Sequence, residues 1–285
     1  MTGRVVVLAL AILVSGAGAP LVVEAAGWSA MGAAVAVVLL LGAVGAYLGT
    51  RGAPEVATPA PTGSLRAQLR VVAAVADFRW LLLTFVVQAL GIGAMLAGVA
   101  YVARWLLGDP TAASLLFVAF VGPALVVTPL WERFARRCGK RAGWTASSLV
   151  LLAGALGLWS ASGGSVPGTC LAAAVAGVGY AGAQVFPLAM LPDVAAADAA
   201  ATGTTRTGVF TGVWTAGETI GLALGPGLYA LALQLGGYAA GAADQTPAAR
   251  TAIVAGFELV PAVLVAASLL ALRRYTLDER SAGVP

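Results

Sequence analysis

The chain has 285 residues, of which 60% are hydrophobic and 10% charged, with a formal net charge of +4. A water-soluble domain carries roughly 25% charged residues, so too few are present to cover a solvated surface, and the apolar residues run in long blocks rather than amphipathic stripes. Histidine is absent and there are two cysteines, which excludes His-based acid–base catalysis, His metal ligation and His-held haem.

A block of about 20 apolar residues makes a helix of about 30 Å, the thickness of a bilayer's hydrocarbon core. Lipid offers the backbone no hydrogen-bond partner, so such blocks must be helical. Segments alternating apolar and polar residues, the mark of a membrane barrel, are absent. The sequence therefore predicts an all-α integral membrane protein with about eight spans, near 4–24, 28–50, 79–102, 111–131, 143–161, 168–190, 208–235 and 251–272.

The first block, with Arg4, an apolar run and small residues up to Ala19, also fits a signal peptide, although its run is long for that purpose. After the second block, Ala53-Pro54-Glu55 through Thr58-Pro59-Ala60-Pro61 reads as a flexible linker within 51–64. Leu65, Leu69, Val72 and Val75 then recur at helical spacing with Arg66 and Arg70 off the stripe. This pattern fits a short helix on the inner membrane surface, or an extended start to the third span. Later loops carry Gly108-Asp109-Pro110, Gly163-Gly164, Val166-Pro167-Gly168 and Asp244 to Pro247.

The basic residues set the orientation. Arg4, Arg51, Arg66, Arg70, Arg79, Arg133, Arg136, Arg137, Lys140, Arg141, Arg206, Arg273, Arg274 and Arg280 fall on one side; only Arg104 and Arg250 fall on the other. This asymmetry predicts that the first side, with both termini, is cytoplasmic, in a plasma (inner) membrane. Cys138 and Cys170 then lie on opposite faces and cannot pair within the chain. Charges confined to loops also speak against a nucleic-acid partner; the partners expected are the lipid bilayer and a small-molecule solute.

Polar residues inside spans are candidates for function because they are expensive there. Glu218 lies near the middle of the seventh span, with Trp214, Thr215 and Thr219 within a turn of it. It reads as a proton, cation or substrate contact, or as a hydrogen-bonded acid tying helices together. Glu258 is a second acid, nearer the outer surface of the last span. Gln88 and Gln184 are amides of the kind that glue helices or meet a solute. Gly177 and Gly179, and Gly217, Gly221 and Gly225, have the spacing of close helix contacts, and Gly225-Pro226-Gly227 is a candidate break. An intramembrane enzyme is a poor reading, since its only intramembrane acids would be Glu218 and Glu258 on separate spans.

Several motifs resemble one family. Pro129-Leu130-Trp131 through Gly139-Lys140-Arg141 looks like the loop between helices eight and nine of the glycoside–pentoside–hexuronide:cation symporters, the melibiose-permease group of the major facilitator superfamily. Ala189-Met190-Leu191-Pro192-Asp193, then Asp198, Gly203, Arg206, Gly208 and Phe210, looks like its loop between helices ten and eleven. Trp214-Thr215, Glu218, Gly221 and Gly225 continue into helix eleven, and Phe78-Arg79-Trp80 resembles the start of helix seven. Arg4 resembles the arginine that opens helix five and faces the sugar cavity.

The resemblance implies a major facilitator-like helical bundle covering helices five to twelve. Residues 1–50 would be the last two helices of the amino-terminal bundle, 51–77 the central cytoplasmic linker, 78–275 the carboxy-terminal bundle and 276–285 a cytoplasmic tail. It implies symport of a sugar or related solute with a coupling ion, sodium or proton, and no other cofactor. Arg4, Gln88, Gln184, Trp214, Glu218 and Thr219 would line the cavity; Arg136, Arg137, Lys140, Asp193, Asp198 and Arg206 would close the cytoplasmic gate. The chain departs from the family in two respects. Helices one to four have no counterpart, so Met1 is expected to be an internal start, or another chain to supply those helices, or the chain to be a non-transporting fragment or helper subunit. Thr219 stands where family members commonly carry a lysine, which keeps a lysolipid or other amphiphile as an alternative substrate.

Overall fold

The computed structural model describes residues 2–52 and 64–277. These form α1 (Thr2–Thr50), α2 (Leu65–Ala74), α3 (Ala76–Trp105), α4 (Ala112–Cys138), α5 (Lys140–Gly157, extended by a 3₁₀ segment, Leu158–Gly163), α6 (Val166–Thr202), α7 (Thr207–Leu235), α8 (Pro247–Phe257) and α9 (Leu259–Leu272). Residues 53–63 of the expected linker, and 278–285 of the expected tail with Arg280, lie outside the described residues.

Seven helices among the described residues are long and apolar enough to cross a membrane, against about eight expected. The difference lies at the amino-terminal side. Residues 4–24 and 28–50, expected as two spans, are two helices joined end to end in α1 at Gly27 (φ 80°, ψ 174°), and only Leu21–Thr50 of this stretch counts among the seven. Glycine alone adopts that backbone freely, so one residue breaks the helix without a loop. The other six spans fall where the apolar blocks place them, with α8 and α9 sharing the last.

α2 is a separate short helix, set off from α3 at Val75, whose backbone is extended (φ −75°, ψ 109°). Of its apolar stripe, Val72 is fully buried and Val75 partly packed, while Leu69 remains exposed.

α3 packs on α7, α8 and α9, and α6 packs on α4 and α5. Glycines make the contacts close. A Cβ on Gly179 would strike the backbone of Leu151, one on Gly154 the backbone of Ala176, and one on Gly177 the carbonyl of Phe120. On α7, a Cβ at Gly221 would lie 2.8 Å from that of Ala89, and one at Gly225 2.6 Å from the Leu90 carbonyl. The glycine spacing of the sixth and seventh spans is thus helix packing.

The candidate break at Gly225-Pro226-Gly227 is not one: α7 is continuous from Thr207 to Leu235. Pro226 cannot donate to the Leu222 carbonyl. That carbonyl lies against Gly93 of α3, where a Cβ would be 2.9 Å away, so tertiary packing closes over the gap. The break appears instead at Glu258, between α8 and α9.

Two apolar clusters fill the bundle. One, including Phe78, Phe85, Trp144, Phe186, Phe210 and Trp214, occupies the end that carries the basic residues. The other, including Val102, Leu116, Phe120, Leu158, Tyr229 and Phe257, occupies the opposite end. Between them buried polar side chains form a belt.

Candidate functional site

Gln88 on α3 is the hub of that belt. Its Oε1 accepts from Trp144 Nε1 of α5 at 3.0 Å. Its Nε2 donates to Ser148 Oγ of α5 at 2.8 Å and to Ser268 Oγ of α9 at 2.9 Å. All four residues are buried, so one amide joins three helices with three of its four hydrogen-bonding positions used.

Gln88 also faces a small pocket where α3, α6 and α7 meet. Its walls include Phe85, Gln88, Tyr180, Gln184, Glu218 and Leu222, and its free volume is about 10 Å³, close to the minimum for one water molecule. Gln184 Nε2 donates to the Tyr180 hydroxyl at 3.0 Å, one turn away on α6. Glu218 is half-buried. Two amides, a phenol and a carboxyl from three helices therefore converge at mid-bundle. Together they can bind a proton or a small cation, or hydrogen-bond a hydroxylated solute.

Trp214 and Thr219, also expected in a cavity, do not line this pocket. Trp214 is fully buried in the basic-end cluster, stacked on Phe85 with ring centroids 4.3 Å apart. Its indole N–H has no hydrogen bond among the described residues. Thr219 is exposed and donates to the Thr215 carbonyl at 2.9 Å. It belongs to a ladder of Thr207, Thr211, Thr215 and Thr219 along an open face of α7. Arg4 lies in α1, but its side chain is outside the described residues.

At the basic end, α6 overshoots the bilayer. Its 37 residues span about 55 Å at about 1.5 Å per residue, well beyond a hydrocarbon core of about 30 Å. The overshoot carries Asp193 and Asp198. Asp193 accepts from Lys140 Nζ at 2.6 Å, and Asp198 pairs with Arg206 at 3.4 Å. Lys140 is positioned by Gly139 (φ 87°, ψ 157°), whose left-handed φ turns the chain from α4 directly into α5. A cavity of about 320 Å³ opens beside the first pair, lined by Cys138 to Ala142, Met190, Asp193 and Tyr275 to Leu277.

The segment after α9 closes over that cavity. Asp77 accepts from the Thr276 backbone N–H at 2.7 Å and from its hydroxyl at 3.1 Å, Arg141 donates to the Arg273 carbonyl at 3.0 Å, and Arg274 lies over the Trp80 ring. Thr276 and Leu277, read from the sequence as the start of a tail, are thus tied to the bundle. Arg136 and Arg137 lie exposed on the last turn of α4, apart from both ion pairs.

Sequence reasoning missed Tyr180, Ser148 and Ser268, because single hydroxyls in apolar spans carry no pattern. The threonine ladder was visible as a four-residue repeat at Thr207, Thr211, Thr215 and Thr219. No cluster of three or more metal-ligating side chains occurs among the described residues.

Comparison with known proteins agrees with this architecture. An uncharacterised symporter from Synechocystis sp. is 32% identical over 142 residues, which is 50% of this chain and 26% of that protein, so the match spans about a quarter of the relative's length. The family profile described as MFS/sugar transport protein matches residues 1–279. With its membrane-length helices and a profile match over nearly its whole length, this multi-pass membrane protein belongs to the MFS/sugar transport protein family.

Proposed function

We propose that the chain works in secondary active transport, carrying a sugar or related small solute by symport with sodium or a proton, in the manner of the melibiose-permease group. The observation that carries this reading is the convergence of Gln88, Tyr180, Gln184 and Glu218 on one pocket at mid-bundle. Intramembrane polar groups facing a protein interior are the usual marks of a solute or ion path, and secondary transporters hold their sites near the midplane. A carboxyl there gives a coupling cation its charge, and two amides and a phenol give a polyhydroxylated solute its hydrogen bonds.

In this reading the basic end is cytoplasmic, and the membrane is the plasma (inner) membrane. Lys140–Asp193 and Asp198–Arg206 are contacts of the inner gate, and Arg136 and Arg137, exposed on the last turn of α4 and in neither pair, stand at the same end. The threonine face of α7 borders the solute path, since a polar ladder is out of place against lipid. Alternating access needs two bundles moving about the site. Residues 78–275 supply one; residues 1–50 belong to the other, which further helices complete, whether from additional sequence or from a second chain.

The test is uptake into lipid vesicles of labelled sugars under an imposed sodium or proton gradient, with the partner helices present. Glu218→Gln is expected to insert normally and to lose gradient-driven uptake at least about tenfold, the loss of one transition-state interaction worth about 1.4 kcal/mol. Uptake and ion dependence equal to those of the unmodified protein would overturn the assignment of Glu218. Absence of any gradient-driven uptake by the unmodified protein would overturn the transport reading in favour of a helper subunit.

A further inference from the structure

The central pocket leaves one intramembrane acid unused. Glu258 is 6% exposed, and its Oε2 has no hydrogen-bond partner among the described residues. It sits at the junction where α8 ends at Phe257 and α9 begins at Leu259, with φ −113° and ψ −61°. Three residues on, Pro261 has no N–H, so the Phe257 carbonyl loses its helical donor. An irregular turn, a buried carboxyl and a carbonyl short of its partner therefore coincide in the half of the bundle away from the basic end.

The surroundings are close but small. A Cβ on Gly91 of α3 would lie 3.2 Å from Pro261 Cα, and one on Gly98 would lie 2.8 Å from the Phe257 ring and 2.9 Å from the Tyr229 ring. Gly256 likewise abuts Tyr229. The break is thus held between α3 and α7 by close contacts at positions without side chains.

Among the described residues no charged side chain is paired with the carboxyl. On α3, Tyr101 meets the rings of Tyr229 and Tyr238, Arg104 lies over Trp105, and Asp77 and Arg79 stand at the basic end. On α7, the Tyr229 hydroxyl faces the Ile253 carbonyl, and Glu218 opens into the central pocket. On α5, Lys140 and Arg141 are engaged at the basic end, and the 3₁₀ segment after α5 carries no titratable group. On α8, Arg250 pairs with Asp244; after α9, Arg274 lies over Trp80. A bare carboxylate in such a place is far costlier than the neutral acid.

We propose that Glu258 is a reversible proton-binding site, seated at the α8–α9 break and separate from the pocket around Glu218. The step is a single proton transfer: hydronium from the water on the side away from the basic end gives its proton to the carboxylate as the break flexes, and the acid returns it to water by the same route. The site stands whether or not Glu218 takes part in transport.

Infrared difference spectroscopy on the full chain in lipid vesicles tests it. A pH step from mildly acidic to alkaline is expected to remove the carbonyl-stretch band of a protonated carboxylic acid, and the reverse step to restore it. Glu258→Gln, which keeps the shape of the neutral acid, removes the component of the band that belongs to Glu258. Glu218→Gln leaves it, so failure of the central-pocket reading and failure of this one are distinguishable. Glu258→Asp, with its carboxyl one methylene back, keeps a band at a shifted midpoint. Wild-type and Glu258→Gln spectra that coincide at every pH would overturn the proposal. So would a Glu258 band that persists unchanged until the protein unfolds, since that acid would be permanently protonated and purely structural.

Discussion

The Leu21–Thr50 stretch of α1 and the whole of α3 are nearly equal in hydropathy and equally long, at 30 residues each, yet their fates are opposite. Residues 28–50 bury almost nothing against the rest of the chain, whereas half of α3 is buried. In lipid there is no hydrophobic drive between helices, so apolar content only places a helix in the bilayer. What assembles it is close approach and polar bonding. α3 has both: Gly91, Gly93 and Gly98 admit α7, α8 and α9, and Gln88 hydrogen-bonds α5 and α9. The glycines of the α1 arm, Gly32, Gly42, Gly45 and Gly49, have nothing within 4 Å of a would-be Cβ.

The largest expected effect comes from filling a glycine on the packed side. Gly179→Leu drives a side chain into the Leu151 backbone, which cannot move aside as a side chain can. The cost should reach or exceed the upper end of the about 1–3 kcal/mol of core overpacking, seen as a lowered thermal unfolding temperature in detergent or loss of folded protein. Gly45→Leu, the matched change in the α1 arm, should stay within about 0.5 kcal/mol in this chain by itself, without the helices that complete the other bundle, as surface changes do. Equal losses for the two would show that the α1 arm is packed in the native protein, and the comparison would fail.

Next is the polar hub. Gln88→Leu removes the partner of Trp144 Nε1 and of two serine hydroxyls at once. About 1–2 kcal/mol is expected, toward the low side of the range for buried polar groups because serines can turn to helix carbonyls. Gln184→Leu strands only the Tyr180 hydroxyl and should cost about half as much. Unfolding temperatures that rank the two variants the other way would identify Gln184, rather than Gln88, as the amide that holds the bundle.

This contrast also shows what the amino-acid sequence could reveal. Apolar blocks located the spans because bilayer thickness fixes helix length, and the glycine spacing of α6 and α7 was readable as contact because small residues mark close approach. Glu218, Gln88 and Gln184 stood out because polar groups are rare in spans, and all three line one pocket. Neighbours were less legible. Trp214 and Thr219 are within a turn of Glu218, but a helix sends adjacent residues to different faces. One is therefore buried beside Phe85 and the other exposed on the threonine ladder. The helix end at the basic side was underestimated because hydropathy ends where charge begins, whereas α6 continues to Thr202. The break at Glu258 depends on how α3 closes against Pro261 and how Tyr229 of α7 packs on Gly256, and no local pattern carries that.

The two ends of the bundle extend the comparison to weaker forces. The Lys140–Asp193 pair is about a quarter exposed, at 30% and 20% for its side chains, and solvent screens such pairs to about 0–1 kcal/mol. A double-mutant cycle of Lys140→Ala and Asp193→Ala should give a coupling near the top of that range, since the pair lies in a lined cavity. Zero coupling would make it a surface contact that holds no helices together.

The smallest effect belongs to the opposite end, where Arg250 and Asp244 pair in solvent at 2.8 Å. The Arg250 hydrogen bond, helped by the Gln245 backbone N–H, holds the Asp244 carboxyl below the ordinary carboxylate value. Because the folded value is depressed, folding gains from this group are complete above the unfolded Asp value of about 3.9 and vanish as pH falls through the lower folded value. Solution NMR of a carboxyl-labelled protein should find Asp244 titrating below a free aspartate, and Arg250→Ala should move it back up. The packed half of the molecule should be indifferent to that change, so its unfolding temperature above pH of about 5 should stay the same. A fall there would mean that the loop is coupled to the break at Glu258, on the same helix pair, rather than sitting loosely above it.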